Sequence, residues 1–489
     1  QIGVGRVPAR TTDEVRIYLD KVIETETPTA CTKEDRLWRK NALHIAGGNN
    51  ISESNSFLSF LNRYKHIYED TLISGNVVYT YSLATPGLDS LSIPTIAPLI
   101  NNGLNIINFI GHSSQPYWNV ALNPPAEYDN EGKYPFMFSS SCFVGNVHNE
   151  GNAMPNDFLF AERRGAIGFL ATVSFGFPAF MDAYVDQLYQ QFCQINYGES
   201  IGKCLTKGIE YNVNINPTSE GVKLTSMEFT FIGDPALKVA PWQKPEYIIE
   251  ANNNGYSDVT FIPQQITVNL DSFAVRVIVT NIGKATGDSI NIKITRKLPS
   301  GQSIIAHTDR RPAPLNTDTL FYYLQMGDRQ AAAGDNEIEV FIDSDNEATE
   351  DCEDNNIAKV NTFIFNDLLV PVAPCNYTII NNPLPTLKAS TGQPLLASLP
   401  YIIQLDTTAL FNSTLFRQNV QNSESGVVQW TPTTPLLPNT VYYWRTSQIP
   451  NPGDSFNWQN SSFIYKPDSP TGWNQSHYYQ FKNDQYYQM

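Results

Sequence analysis

Two spacings of apolar residues alternate along the first half of the chain. Thr11-Thr-Asp-Glu14 has the form of a capping box, and Val15, Tyr18, Leu19, Val22 and Ile23 then recur with a helical period. Ala42-Leu-His-Ile-Ala46 is a short apolar run that stops at Gly47-Gly48 and predicts a strand. Phe57, Leu58, Phe60, Leu61, Tyr64 and Tyr68 mark a second amphipathic helix, and Asn76-Val-Val-Tyr-Thr-Tyr81 a second strand. Further helices are expected over residues 94–102, 155–164, 181–193 and 200–211. Buried strands are expected up to His112, up to Cys142 and over 165–173. Strands that alternate with helices imply a mostly parallel sheet covered on both faces.

The pattern changes near residues 241–245, where the helical period disappears. Phe273-Ala-Val-Arg-Val-Ile-Val-Thr280 alternates with period two and runs into a turn at Asn281-Ile-Gly283. Asn291-Ile-Lys-Ile-Thr-Arg296 and Asn336-Glu-Ile-Glu-Val-Phe-Ile342 repeat the alternation, as in an antiparallel sandwich. Farther on, Leu436-Leu-Pro438-Asn-Thr440-Val-Tyr442 has the spacing of a tyrosine corner. The chain therefore divides into an α/β domain (1–242), a first β-sandwich (247–364), a second (365–467), and a linker or the start of a further domain (468–489).

Two of the predicted strands end in reactive side chains. Asn105-Ile-Ile-Asn-Phe-Ile-Gly-His112 and Tyr134-Pro-Phe-Met-Phe-Ser-Ser-Ser-Cys142 each stop at one of them. Ligands of a parallel sheet sit at the carboxyl ends of its strands, so both residues belong at one edge. Cysteine attacks a carbonyl as the thiolate and needs a neighbouring base, which His112 can supply if the two strands are neighbours. The resulting oxyanion needs donors, and the backbone N–H groups of Ser113 and Cys142 are the candidates. Trp118 and Phe177, with Phe175 close by, are candidate walls of a substrate pocket. His44 lies inside a strand and is expected in the core; His148 is expected as an exposed loop residue.

Gly111-His112-Ser-Ser-Gln-Pro-Tyr-Trp118 and Pro135-Phe-Met-Phe-Ser-Ser-Ser-Cys142-Phe-Val-Gly145 resemble the catalytic core of the gingipain family of cysteine peptidases. Gly5-Arg6-Val-Pro8 and Phe231-Ile-Gly233-Asp234-Pro235-Ala-Leu237 match the same family in order, over about residues 1–240. The resemblance implies a caspase-like fold with His112 as base and Cys142 as nucleophile, and a domain whose N-terminal portion lies before residue 1. The family has glycine where this chain has Ser113, a change that is strained if the position needs positive φ. Its orienting acid follows the strand that here ends at Ala46, where Asn49 now stands. Asparagine can orient an imidazole, and Glu53 is the nearest acidic alternative.

Residues 247–364 resemble an adhesion-type immunoglobulin-like module and residues 365–467 a fibronectin III-like one. The whole is similar to the sortase-type members of type IX secretion systems. That implies a secreted enzyme of the bacterial cell surface acting on exported polypeptides with carboxy-terminal sorting signals. It implies outer-membrane secretion components as partners, and an acyl group passed to water or to an amine on a surface glycolipid. The rival is a catalytically inactive surface scaffold whose sandwiches do the binding.

Composition narrows the picture. The net charge is −16, from 32 basic and 48 acidic residues with no basic block, which argues against nucleic-acid partners. Only 16% of residues are charged and 12% are aromatic, a balance that suits extracellular β-rich modules. Of the six cysteines, Cys352 and Cys375 flank a predicted boundary and are candidates to bridge it, the alternative being two unpaired thiols. Asp343, Asp345 and Glu350 lie in an acidic stretch that offers hard oxygen ligands to calcium, the alternative being a solvated turn. The cysteine chemistry itself requires no cofactor. No apolar run approaches the roughly 20 residues needed to span a bilayer. With no initiator Met or signal peptide, the chain is expected to be a piece of a longer polypeptide.

Overall fold

The computed structural model describes residues 2–82, 93–120, 122–148, 153–251, 256–366, 368–391, 398–424, 426–450, 455–475, 477–478 and 480. The first unit is built on β1 (Asn41–Gly47), β2 (Asn76–Ser82), β3 (Ile106–Gly111), β4 (Phe136–Ser140), β5 (Gly168–Thr172) and β6 (Phe229–Gly233). Their order across the sheet is β2-β1-β3-β4-β5-β6. The first five are parallel and β6 runs antiparallel to β5. Every residue of β3, β4 and β5 is buried, as a sheet covered on both faces requires. After β2 the chain crosses back over β1 to form β3. Strand order thus reverses between β1 and β3, which opens a crevice at their carboxyl ends.

Helices Ile51–Glu69, Pro178–Gln190 and Ile201–Ile215 form where the periodicity predicts them. The predicted 155–164 helix is shorter, Met154–Leu159, and Glu220–Glu228 is an additional helix. The capping box at Thr11 is present, but the face that helix Thr12–Glu26 buries differs from the expected one. Tyr18, Lys21 and Val22 are buried, while Val15, Leu19 and Ile23 stay exposed. Lys21 decides the rotation. Its Nζ donates to the carbonyls of Phe158 (3.1 Å), Leu159 (3.1 Å) and Arg164 (2.7 Å) at the end of helix Met154–Leu159, and burial pulls its pKa down to about 7.

The second unit pairs a four-stranded with a five-stranded sheet, and their inward residues, among them Val275, Val277, Ile292 and Val340, share one core. The third pairs a three-stranded with a six-stranded sheet around Trp444, Tyr442 and Phe463. The Tyr442 hydroxyl accepts the Leu437 N–H at 2.9 Å, the tyrosine corner expected from the spacing. The segment expected to be a linker partly joins this unit. Gly472–Trp473 pairs with Thr378–Ile380, and His477 is buried with Nδ1 2.9 Å from Ser462 Oγ.

The cysteine pairing corrects the expectation. Cys352 is bonded to Cys31, across 321 residues, and Cys375 is exposed and free. The bond ties the first unit to the second. Around it Lys33 Nζ lies 2.6 Å from Asp258, Arg36 lies 3.6 Å from Glu246, and Asn355 Nδ2 donates to the Cys31 carbonyl at 3.1 Å. Disulfides of this kind are worth about 2–4 kcal/mol. Cys352→Ser should lower the calorimetric unfolding midpoint of the first two units, and a reducing agent should lower that of the wild type while leaving the variant unchanged.

Candidate active site

The site forms where β1, β3 and β4 end. Gly47 and Gly111 lie opposite each other in register at the last β1–β3 pair. A Cβ on Gly111 would come within 2.7 Å of the Gly47 Cα, so glycine lets the two strand ends close together. His112 leaves β3 immediately afterwards, and its Nε2 lies 2.9 Å from Glu53 Oε1.

Glu53 arrives by helix-capping geometry. Asn50 is the N-cap of helix Ile51–Glu69, its Oδ1 accepting the Glu53 N–H at 3.0 Å. A glutamate three residues past an N-cap reaches back towards the helix start. Here Glu53 Oε2 accepts the Asn49 N–H at 2.8 Å, leaving Oε1 for the imidazole. Burial pushes this carboxyl up, but the Asn49 N–H and the His112 ring outweigh it and hold it below the ordinary carboxylate range. Asn49 was expected as the orienting group; its hydrogen bond in the site comes from the main chain, and the carboxylate of Glu53 is what touches the ring. The signal was in the sequence: Asn50 followed three residues later by Glu53.

Cys142 follows β4 by two residues and is free and part-buried. Its turn is pinned on both sides. Ser113 Oγ donates to the Cys142 carbonyl at 2.6 Å, tying the His112 loop to the cysteine loop. On the other side the Phe143 N–H donates to the Ser174 carbonyl at 3.0 Å, the Gly145 N–H to Thr172 at 2.8 Å, and the Thr172 hydroxyl to the Ser141 carbonyl. The Gly176 N–H points at Cys142 Sγ from 3.5 Å. Ser113 is not among the residues of positive φ, so the steric cost expected of a serine there does not arise. The left-handed residue of this turn is Phe143, at φ 62°, an outlier for so bulky a side chain.

Trp118, expected to wall the cleft, is only 2% exposed. It stacks on Phe109 at 4.3 Å and donates its Nε1–H to Ser139 Oγ at 2.9 Å, so it packs beneath the site. Phe175 and Phe177 are open to solvent on either side of Gly176. His44 is fully buried, Nε2 3.1 Å from the Tyr189 hydroxyl, and burial holds it neutral with its pKa at about 3. His148 is exposed and takes a hydrogen bond from Arg6 at 3.1 Å.

The acidic stretch does not gather its carboxylates. Asp343 accepts the N–H groups of Glu347 and Ala348, Asp345 accepts Asn291 Nδ2, and Glu350 accepts the Tyr247 N–H and Asn356 Nδ2. Burial pushes the Glu350 carboxyl up to about 8. Among the described residues, the one group of three potential ligands close enough to share an ion is Cys31, Glu246 and Cys352, whose cysteines are bonded to each other.

Residues 1–240 match Peptidase family C25, the stretch where the two motif segments resembled the gingipains. No curated protein matches the chain. Among solved structures it is similar to the Arg-specific cysteine proteinase gingipain R, at 15% identity over 74% of this chain and 74% of that one, with a TM-score of 0.43. A complex of the pro- and mature domains of RgpB from Porphyromonas gingivalis aligns at 14% identity over 74% and 76%, with a TM-score of 0.41. A CARDB domain from Pyrococcus furiosus, solved with di-metal ions, aligns at 19% identity over 25% of this chain and 90% of its own, with a TM-score of 0.19.

The lowered Glu53 pKa carries a sign. Its contribution to stability is complete above the ordinary value of 4.5 and is lost as pH falls through the lower folded value. Denaturation midpoints of wild type and Glu53→Gln should therefore differ at pH 6 and converge towards pH 2.

Proposed function

We propose that the chain is a cysteine peptidase with Cys142 as nucleophile, His112 as base and Glu53 as the residue that positions the imidazole. One observation carries the reading: the Glu53–His112 pair lies at the carboxyl ends of β1 and β3, with a free cysteine at the end of adjacent β4, in a segment matching a peptidase family. His112 takes the thiol proton and the sulfur attacks the peptide carbonyl carbon. The carbonyl oxygen becomes an oxyanion that the N–H groups of Ser113 and Cys142 receive. Collapse breaks the C–N bond, His112 returns the proton to the departing amine, and a thioester remains on Cys142. Water or an amine then attacks the thioester, giving hydrolysis or acyl transfer.

The finer reading is a sortase of a type IX secretion system, which processes carboxy-terminal sorting signals at the bacterial cell surface and hands the acyl group to a glycolipid amine. Its support is the sequence resemblance, the two β-sheet units that follow the catalytic one, and a disulfide of the kind that persists in oxidising compartments. The scaffold alternative rested on Ser113 and on a missing carboxylate. Ser113 lies outside the left-handed region and Glu53 touches the imidazole, both of which favour the catalytic reading.

A thiol-directed peptidyl probe should label Cys142 in the wild type, and His112→Ala should abolish labelling. A folded wild type inert to the probe would overturn the peptidase reading. Glu53→Gln should slow labelling by roughly 10²-fold or more, whereas Asn49→Ala, which keeps its backbone N–H, should slow it less than about 5-fold. With a cleavable peptide and a primary amine, mass spectrometry should detect the amide product beside the acid if the thioester is open to acyl transfer.

A further inference from the structure

Gly176 is the residue that reaches the nucleophile from the β5 side, through the N–H that points at Cys142 Sγ. Both of its neighbours present large rings to solvent: Phe175 is 65% exposed and Phe177 is 61% exposed. Single exposed apolar side chains are ordinary, but two within three residues, flanking an N–H aimed at a reactive sulfur, form a patch that calls for an occupant. The rings are supported from below. Phe175 meets Phe143 edge-on at 4.6 Å, and Phe177 meets Phe180 edge-on at 6.5 Å. Phe143 is the residue held at φ 62° in the turn of the nucleophile, so its unusual backbone aims a ring at this wall. The loop between them packs against the following helix: a Cβ on Gly176 would fall 2.3 Å from Met181 Sδ.

Main-chain pairing holds Glu228 beside the residue two before Phe175: its carbonyl accepts the Val173 N–H at 2.9 Å. Burial pushes the Glu228 carboxyl up. A lysine or arginine side chain lowered onto the two phenyl rings would lose water against apolar surface, which is costly. An exposed cation–π contact compensates only slightly. An aromatic or branched aliphatic side chain would cover both rings and lose nothing.

We propose that Phe175 and Phe177, backed by Phe143, form the subsite for the side chain next to the attacked carbonyl, and that it selects aromatic and large aliphatic residues over arginine and lysine. The proposal rests on the cysteine-peptidase reading and assigns its substrate class.

Four peptidyl acyloxymethyl ketones test it, alike except for Phe, Leu, Ala or Arg at the position next to the ketone. Intact-protein mass spectrometry follows labelling of Cys142 over time. The Phe and Leu probes should label at least about 10-fold faster than the Arg probe. In Phe177→Ala and in Phe175→Ala the ratio of the Phe-probe rate to the Ala-probe rate should fall by about 5-fold or more. Both rings are exposed, so these variants should fold. Glu228→Gln should leave the order of preference in place. An Arg probe that labels fastest, with Glu228→Gln erasing its advantage, would overturn the apolar subsite and leave the peptidase reading standing, as would an unchanged ratio in both phenylalanine variants. Failure of all four probes on folded protein would overturn the peptidase reading and the subsite with it.

Discussion

The site depends on one constraint of topology: strand order reverses between β1 and β3. Because neither neighbour's connection crosses that point, the carboxyl ends of the two strands open into a crevice. Both members of the Glu53–His112 pair enter there. Glu53 comes from the helix that follows β1, and His112 from the loop that follows β3. Cys142 needs only to be next in the sheet, which β4 provides. Close contact of the β1 and β3 ends at Gly47 and Gly111 brings the helix start within reach of the ring.

Around that crevice, main-chain hydrogen bonds do most of the positioning. Glu53 is fixed by the Asn49 N–H, the cysteine turn by the N–H groups of Phe143 and Gly145 beside the Ser113 hydroxyl, and the sulfur faces the Gly176 N–H. Main-chain donors have little freedom to rotate away, which is how a site formed from loop residues keeps its geometry. The junction of the first two units works differently. Arg36, Lys33, Glu246 and Asp258 pair there with little water around them. Buried pairs of this kind add little net stability but penalise any other docking of the two surfaces.

Sequence periodicity located the parallel sheet and its reactive edge because buried strands announce themselves as apolar runs, and such runs stop where the chain leaves the core. His112 and Cys142 were legible for that reason. Glu53 was harder: counting from the end of a strand points to Asn49, whereas counting from the N-cap points to Glu53, and the cap is what sets side-chain direction. The rotation of helix Thr12–Glu26 was hidden because a lysine stem can occupy a core stripe when carbonyls wait at its end. In the acidic stretch, composition does not reveal which carboxylates the N–H groups of the fold engage. The Cys31–Cys352 pair, set by how two units dock, leaves no local trace in the sequence.

That bond also changes what a break in the backbone means. It makes a closed ring of residues 31 to 352, and all six strands of the catalytic sheet lie inside it. One cut at any loop within the ring leaves two fragments that still travel as a single covalent object, with Cys142 and His112 aboard. Separation needs a second event of a different chemical kind, reduction. Proteolytic wear and loss of the first unit are thereby uncoupled.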